Sequence, residues 1–68
     1  MRINEINTSG YYWVKMPCYK TAFVCEVQLM LNGMSVALPY PDELTRISHE
    51  EFADYADWQF VGPIEYPF

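Results

Sequence analysis

Two cysteines and one histidine are the residues of this chain that could supply a nucleophile and its base: Cys18, Cys25 and His49. Nucleophilic catalysis of this type needs a thiolate within hydrogen-bond reach of an imidazole, and no local spacing favours a pair of either cysteine with His49. Cys25 falls inside a run of strand-forming residues, so we expect it in the core, where a thiol is inert. Because no C-x-x-C spacing occurs, we expect one buried thiol and one loop thiol rather than a disulfide.

Four carboxylates between residues 50 and 57 are the next groups that could do chemistry: Glu50, Glu51, Asp54 and Asp57. At α-helical spacing, Glu50, Asp54 and Asp57 share one face. General acid–base catalysis needs a carboxyl group whose pKa is shifted by burial, whereas we expect this face to be solvated. The acids and His49 match no metal-ligand spacing, and the scattered glycines form no phosphate loop. We therefore predict no catalytic residue, no metal and no cofactor, and a chain that is not an enzyme.

An aromatic cluster with two lysines is the feature that would suit a nucleic acid: Tyr11, Tyr12, Trp13, Lys15, Tyr19 and Lys20. Aromatic rings on a sheet can stack single-stranded bases, but a small core needs the same rings for packing. Residues 1–40 carry three basic and two acidic side chains (net +1), and residues 41–68 carry one basic and seven acidic side chains (net −6). Because phosphate binding needs clustered Lys and Arg, we predict no nucleic-acid partner.

The composition indicates one small folded domain, residues 1–68. Hydrophobic residues make up 51% and aromatic residues 18% of the chain, which argues against disorder. Dense aromatic packing is one of the few ways to stabilise so short a chain, and we expect no room for a small-ligand pocket. No apolar run approaches the roughly 18 residues of a membrane span, and the N-terminus lacks the apolar region of a signal peptide. We therefore expect a cytoplasmic protein with no membrane partner.

Strand-type alternation dominates residues 10–38. In the run 10–16, Tyr12, Val14 and Met16 share one face, and Tyr11 and Trp13 share the other. In the run 21–31, the apolar face predicted to point to the core holds Phe23, Cys25, Val27, Leu29 and Leu31. Asn32-Gly33 predicts a two-residue type I′ turn. The resulting hairpin would pair Leu31 with Met34, Leu29 with Val36, and Val27 with Leu38.

The second half of the chain predicts a short helix and a last strand. Pro39 and Pro41 end the third strand, and Ser48 with Glu51 forms a capping box that starts a helix over residues 49–56. This helix is expected to bury Phe52, Tyr55 and Ala56. Residues 57–61 alternate again, with Trp58 and Phe60 on one side, until Gly62-Pro63 breaks the strand and leaves an aromatic tail, residues 64–68. The first nine residues show no clear period and are a lead-in or a frayed end.

The order β-β-β-α-β predicts an α+β fold, with a small antiparallel sheet of three to four strands and one short helix. One short helix cannot cover both faces of this sheet, and the second face is largely apolar (Ala22, Val24, Met30, Ala37). We expect either the tail or another chain to cover it, and a foreign protein and self-association stay equally open. The residues expected to bind the partner are Glu50, Asp54, Asp57, Tyr11, Trp13, Val24 and Met30.

Both ends of the chain resemble a type of small phage or prophage protein. The resemblance rests on the early run Gly10 to Lys15 (GYYWVK) and the late pattern W-x-x-V-G-P-I-x-x-P from Trp58 to Pro67. It implies the cytoplasm of a bacterial host and an accessory role, in which such a product binds and inhibits a host protein such as a defence factor. A homo-oligomeric assembly subunit is the alternative. A second alternative is an acidic mimic of nucleic acid, in which the acids between Asp42 and Asp57 imitate a run of phosphates.

Overall fold

A single antiparallel sheet forms most of the molecule. The computed structural model describes residues 1–39 and 42–65. Its five strands are β1 (Gly10–Lys15), β2 (Phe23–Met30), β3 (Gly33–Pro39), β4 (Asp42–Ser48) and β5 (Gln59–Ile64), and they lie in the spatial order β4-β3-β2-β1-β5. Two 3₁₀ helices accompany the sheet, the first at Ile3–Glu5 and the second at His49–Tyr55. The predicted α+β class therefore holds only in outline, because the described elements are mostly strands.

Strand β4 corrects the predicted strand count. The third strand was predicted to end at Pro39 and no element was predicted between it and Ser48, yet β4 pairs with β3 from Pro39↔Asp42 to Gly33↔Ser48. Pro39 is the last residue of β3, a position where a missing N–H costs the ladder little. Ile47 is 1% exposed and pairs with Met34. Burial of this side chain favours a strand where local propensity did not indicate one. Pro41 lies outside the described residues.

The β2–β3 hairpin is confirmed, but its predicted register is wrong by two residues. Met30 pairs with Gly33, Leu29 with Met34, and Val27 with Val36, so Leu31 lies in the turn with its side chain fully exposed. No described residue other than glycine has a positive φ, and Gly33 does not have one either, so the turn is not type I′. Apart from Leu31, a shift of two residues leaves the side chains of the paired strands on their predicted faces, because the strand period is two.

The second 3₁₀ helix starts where the capping box predicts a helix. The Ser48 backbone N–H donates to Glu51 Oε1 at 3.0 Å, and the Ser48 hydroxyl donates to the same oxygen at 3.0 Å. With three residues per turn, Phe52 and Tyr55 share a face and pack against the core. Ala56, which an α-helix would also have buried, is exposed and follows the helix as its C-cap. The predicted burial of Ala56 is therefore wrong because the helix is of the 3₁₀ type.

The hydrophobic core lies on one face of the sheet. Strand residues contribute most of it, and two isoleucines of the N-terminal segment complete it. The core residues are Ile3, Ile6, Tyr12, Val14, Met16, Cys25, Val27, Met34, Val36, Leu38, Ile47 and Phe60. Phe23, which the sequence analysis also places here, is half-buried, and Leu29 is 39% exposed.

The N-terminal segment is part of this folded core rather than a frayed lead-in. Ile3 is 1% exposed and Ile6 7%. The Met1 amino group donates to the Phe60 carbonyl at 2.7 Å, and the Phe60 N–H donates to the Met1 carbonyl at 2.8 Å. These two hydrogen bonds continue the sheet beyond β5. Ile3 and Ile6 are three residues apart, and this spacing is a local signal of a buried helical turn that the prediction did not use.

Strand β5 also runs further than predicted. It continues through Gly62-Pro63 to Ile64, which pairs with Tyr11 of β1. A bulge separates this pair from Trp13↔Val61, and the Gly62–Pro63 peptide bond is cis. A Cβ atom on Gly62 would lie 2.8 Å from Tyr12 Cδ2, so the missing side chain lets the strand pass the Tyr12 ring. The predicted break therefore becomes a bulge, and the tail residues 66–68 lie outside the described residues.

Within residues 1–39 and 42–65, no helix is long and apolar enough to cross a membrane.

Candidate functional site

No described helix covers the face of the sheet opposite the core, which we name the outer face. Alternate strand positions form it: Tyr11, Trp13, Lys15, Val24, Glu26, Gln28, Met30, Ser35, Ala37, Leu44, Arg46 and Val61. The intervening positions carry the core, and both 3₁₀ helices contribute their packed side chains to that core side. Within the described residues, the two helices therefore cover one face of the sheet and leave the other exposed.

An apolar row crosses three strands of the outer face. Trp13 of β1 pairs with Val24 of β2 on one side and with Val61 of β5 on the other. Paired residues in an antiparallel sheet project to the same side with Cβ atoms about 5 Å apart. Trp13 is 44% exposed and Val61 63%. The row is therefore a continuous apolar strip in contact with water.

The neighbouring row mixes apolar and charged side chains. Tyr11 pairs with Glu26, Glu26 with Ala37, and Ala37 with Leu44, which is 57% exposed. On the far side of Trp13, the Lys15 ammonium donates to the Met16 carbonyl at 3.3 Å and to the Tyr19 carbonyl. An apolar centre bordered by charges of both signs is the usual composition of a protein interface.

The structure brings together three of the four sheet residues predicted to bind a partner. Trp13 and Val24 are direct neighbours, and Tyr11 lies in the adjoining row. Met30 lies at the opposite end of β2, six residues from Val24, which is about 20 Å along a strand, so it does not join them. Ala22, predicted to share this face, precedes β2 and lies outside the sheet.

Leu44 and Val61 are outer-face residues that the sequence analysis does not assign to a partner. The alternation of β4 would have indicated Leu44 once residues 42–48 were read as a strand. Val61 lies opposite Trp58 and Phe60 in the predicted last strand, so its direction was predictable. Its pairing with Trp13 was not, because the pairing of β5 with β1 joins the two ends of the chain.

The predicted acidic face does not form as one face. Glu50, Asp54 and Asp57 are all exposed, but a 3₁₀ helix repeats every three residues. Asp54 therefore aligns with Glu51 and not with Glu50. Glu51 is engaged by the backbone N–H and the hydroxyl of Ser48, and these hydrogen bonds lower the pKa of its carboxyl. Asp57 follows the helix and lines a shallow cavity with Arg2, whose guanidinium donates to the Ala56 carbonyl at 2.6 Å.

The cysteines and the histidine do not form a catalytic pair through Cys25. This thiol is fully buried, and burial raises its pKa to about 12. His49 is exposed, and its ring centroid lies 5.2 Å from that of Phe52, with the two ring planes nearly perpendicular. Cys18 is an exposed free thiol in the turn after β1. Within the described residues, no group of three or more His, Cys, Asp or Glu side chains could hold a metal ion.

A second candidate site is a cavity of about 330 Å³ between the start of β2 and the turn after the second 3₁₀ helix. Its lining includes four aromatic side chains and one carboxylate, and we name it the aromatic cavity: Tyr19, Phe23, Glu43, Tyr55 and Trp58. The other described lining residues are Met16, Pro17, Cys18, Leu38 and Thr45. The short chain was predicted to hold no pocket for a small ligand, and this cavity differs from that prediction. Tyr55 is the last residue of the second 3₁₀ helix, and Trp58 follows it by three residues. Their side chains form one part of the lining.

Comparison with known proteins gives no relative. No protein-family model matches the chain, and no curated protein or solved structure matches it significantly. No family therefore assigns a role to Trp13, Glu43 or any other residue, and the roles proposed below are inferred from geometry.

Proposed function

We propose that this chain is a non-enzymatic protein-binding domain that binds its partner through the outer face around Trp13. The observation that carries the proposal is the apolar row Val61–Trp13–Val24, which crosses three paired strands while Trp13 and Val61 stay 44% and 63% exposed. Apolar surface in water is removed favourably by association. Tryptophan is also the residue type most often found at the energetic centre of interfaces.

The charges favour a partner of positive net charge. The chain carries four basic and nine acidic side chains, for a net charge of −5. Two copies of a chain with this charge repel each other, whereas a basic protein is steered towards it. We propose as partner a protein whose interface has an apolar patch surrounded by basic side chains.

The resemblance of both ends of the chain to small phage proteins supports a biological setting for this partner. We extend the proposal to a phage or prophage accessory protein that acts in the cytoplasm of a bacterial host. The partner would then be a host protein, such as a defence factor, and binding would inhibit it.

Self-association through the same face is the second candidate function. It is favoured by Leu44, which is 57% exposed and lies on β4, an outermost strand of the sheet. An outermost strand offers unpaired backbone groups to a second copy. The acidic nucleic-acid mimic has less support, because Glu50, Asp54 and Asp57 do not align and Arg2 lies beside Asp57.

The test compares Trp13→Ser with Leu31→Ser as baits in a bacterial lysate. Leu31 is fully exposed in the β2–β3 turn and is not an outer-face residue, so it controls for the loss of an exposed apolar side chain. The captured protein is then purified, and its affinity is measured by calorimetry at low and high salt. We expect Trp13→Ser to weaken binding by about 30-fold and Leu31→Ser by less than about twofold.

Two results would contradict the proposal. One is an affinity that Trp13→Ser leaves unchanged. The other is a partner that binds more tightly as salt increases, since attraction between opposite net charges is screened by salt. Light scattering of the pure protein tests the second candidate, because a strict monomer at high concentration excludes self-association.

A further inference from the structure

We infer that the aromatic cavity binds a methylated ammonium group. This inference is independent of the proposed function, because the cavity lies on the core side of the sheet and the proposed partner surface is the outer face.

Two aromatic pairs form part of the walls. Tyr19 and Phe23 have ring centroids 5.4 Å apart and an interplanar angle of 79°. Tyr55 and Trp58 have centroids 5.0 Å apart and an interplanar angle of 77°. The two rings of each pair are therefore nearly perpendicular to each other. Each pair also supports its own geometry, because edge-to-face contacts between rings are favourable.

The electrostatics of these walls favour a cation. Aromatic ring faces carry partial negative charge and attract ammonium groups. Glu43 of β4 adds a carboxylate to the same cavity, and no Lys, Arg or His is among the lining residues that the structure describes. The neighbouring Lys15 does not line the cavity, and its ammonium is hydrogen-bonded to the backbone carbonyls of Met16 and Tyr19. An anionic ligand would meet the Glu43 charge without a basic side chain in the lining to offset it.

Methylation of the cation follows from the hydrogen-bonding capacity of the lining. A primary ammonium brings three N–H donors and a guanidinium five, whereas seven of the ten described lining residues are apolar or aromatic and the other three are Cys18, Glu43 and Thr45. A trimethylammonium group has no donor to satisfy and interacts with ring faces and with one carboxylate. The cavity volume of about 330 Å³ lies near the lower end of ligand pockets, which span about 300–1,000 Å³. A head group of this kind fits it better than a large ligand.

The experiment is an NMR titration that follows the two indole N–H signals. Trp58 lines the cavity, whereas Trp13 lies on the outer face, so the Trp13 signal is an internal control. Choline chloride is the first titrant, with sodium chloride at equal ionic strength as a blank. The neutral carbon analogue 3,3-dimethyl-1-butanol is the second, and a short peptide with one trimethyllysine is the third. We expect a saturable shift of the Trp58 signal with choline, and binding of the neutral analogue weaker by about tenfold.

A matched pair of variants and one further variant sharpen the test. Glu43→Gln removes the cavity carboxylate, and Glu50→Gln makes the same charge change at an exposed position outside the cavity. We expect Glu43→Gln to weaken choline binding by about fivefold and Glu50→Gln to leave it unchanged. Tyr19 is 47% exposed, so Tyr19→Leu removes a ring with little effect on the core. We expect it to weaken binding by about threefold.

The titration results distinguish a site for a methylated ammonium group from an ordinary apolar pocket. Charge-dependent binding of choline or of the peptide supports the site, and the tighter of the two identifies a free metabolite or a modified protein as the source of the ammonium group. Equal binding of the neutral analogue would show an ordinary apolar pocket and would overturn the inference. A Trp58 signal that none of the three titrants shifts would overturn it too.

Discussion

Gly33 of β3 lies so close to Ile47 of β4 that a Cβ atom on residue 33 would be 2.0 Å from the Ile47 carbonyl oxygen. It would also lie 2.7 Å from Ser48 Cα. Real atoms do not approach this closely, so the last pairs of the β3–β4 ladder depend on the missing side chain. Ser48 is the N-cap of the second 3₁₀ helix. The close approach of Gly33 therefore helps to position the helix that carries Tyr55 to the aromatic cavity.

Replacement of Gly33 by alanine should destabilise the fold. The added methyl group collides with the Ile47 and Ser48 backbone, and we expect the free energy of unfolding to fall by about 3 kcal/mol. Urea denaturation followed by fluorescence measures this change. Gln28→Ala, at an exposed position of β2, is the control and should stay within about 0.5 kcal/mol of the wild type. Equal stability of the two variants would contradict this prediction, because it would mean that β3 and β4 can move apart at this point without a loss of stability.

Replacement of Ile3 by alanine tests the N-terminal segment as a part of the core. Ile3 is 1% exposed, and removal of a buried isoleucine side chain typically lowers the free energy of unfolding by about 3 kcal/mol. Leu31→Ala removes a similar side chain from a fully exposed position and should change stability by less than about 0.5 kcal/mol. Urea denaturation compares the two. If Ile3→Ala behaved like Leu31→Ala, residues 1–9 would be a dispensable lead-in.

Stability should fall at high pH, in part because of Cys25. Burial raises the pKa of this thiol from 9.0 to about 12. Below pH 9 the thiol is neutral in both states. As pH rises from 9 to 12, the unfolded chain loses this proton and the folded chain keeps it. Cys25 therefore lowers the free energy of unfolding by about 1.4 kcal/mol per pH unit in this window.

A Cys25→Ala variant isolates this contribution from the other groups that titrate at high pH. Its stability should fall less steeply than that of the wild type between pH 9 and 12, as measured by urea denaturation at a series of pH values. Parallel slopes for the two proteins would contradict the assignment. Alkylation gives a second measurement, because Cys18 is exposed and Cys25 buried. Iodoacetamide should label Cys18 in the folded protein and Cys25 only after unfolding.

The capping box should make Glu51 more important to stability than Glu50. Hydrogen bonds from the Ser48 N–H and hydroxyl lower the pKa of the Glu51 carboxyl, so its ionised form is favoured in the folded state. This contribution is present above the unfolded pKa of the group and is lost as pH falls through the folded pKa. Glu51→Gln should therefore have a lower melting temperature than Glu50→Gln at neutral pH. The difference should shrink in acid, and a difference that is constant with pH would contradict this explanation.

The candidate partner surface was predictable in part. Strict alternation places Tyr11, Trp13 and Val24 on the second face, and the structure puts them side by side. Met30 follows the same alternation but lies about 20 Å away along its strand, because a period of two specifies the face and not the distance. The acidic residues were placed by α-helical spacing, and the 3₁₀ helix separates Glu50 from Asp54 and Asp57.

Features that depend on neighbours in the chain were predictable from local patterns. Alternation specifies which face of β1 and β2 is buried, Asn32-Gly33 marks a turn between β2 and β3, and Ser48 with Glu51 starts a helix. Tertiary structure alone decided the features that depend on residues distant in the chain. These are the pairing of β4 with β3, the hairpin register, the docking of Met1 on Phe60, the Trp13–Val61 row and the aromatic cavity. Their free energy comes from burial and backbone pairing between separate segments, and no local pattern in either segment carries that information.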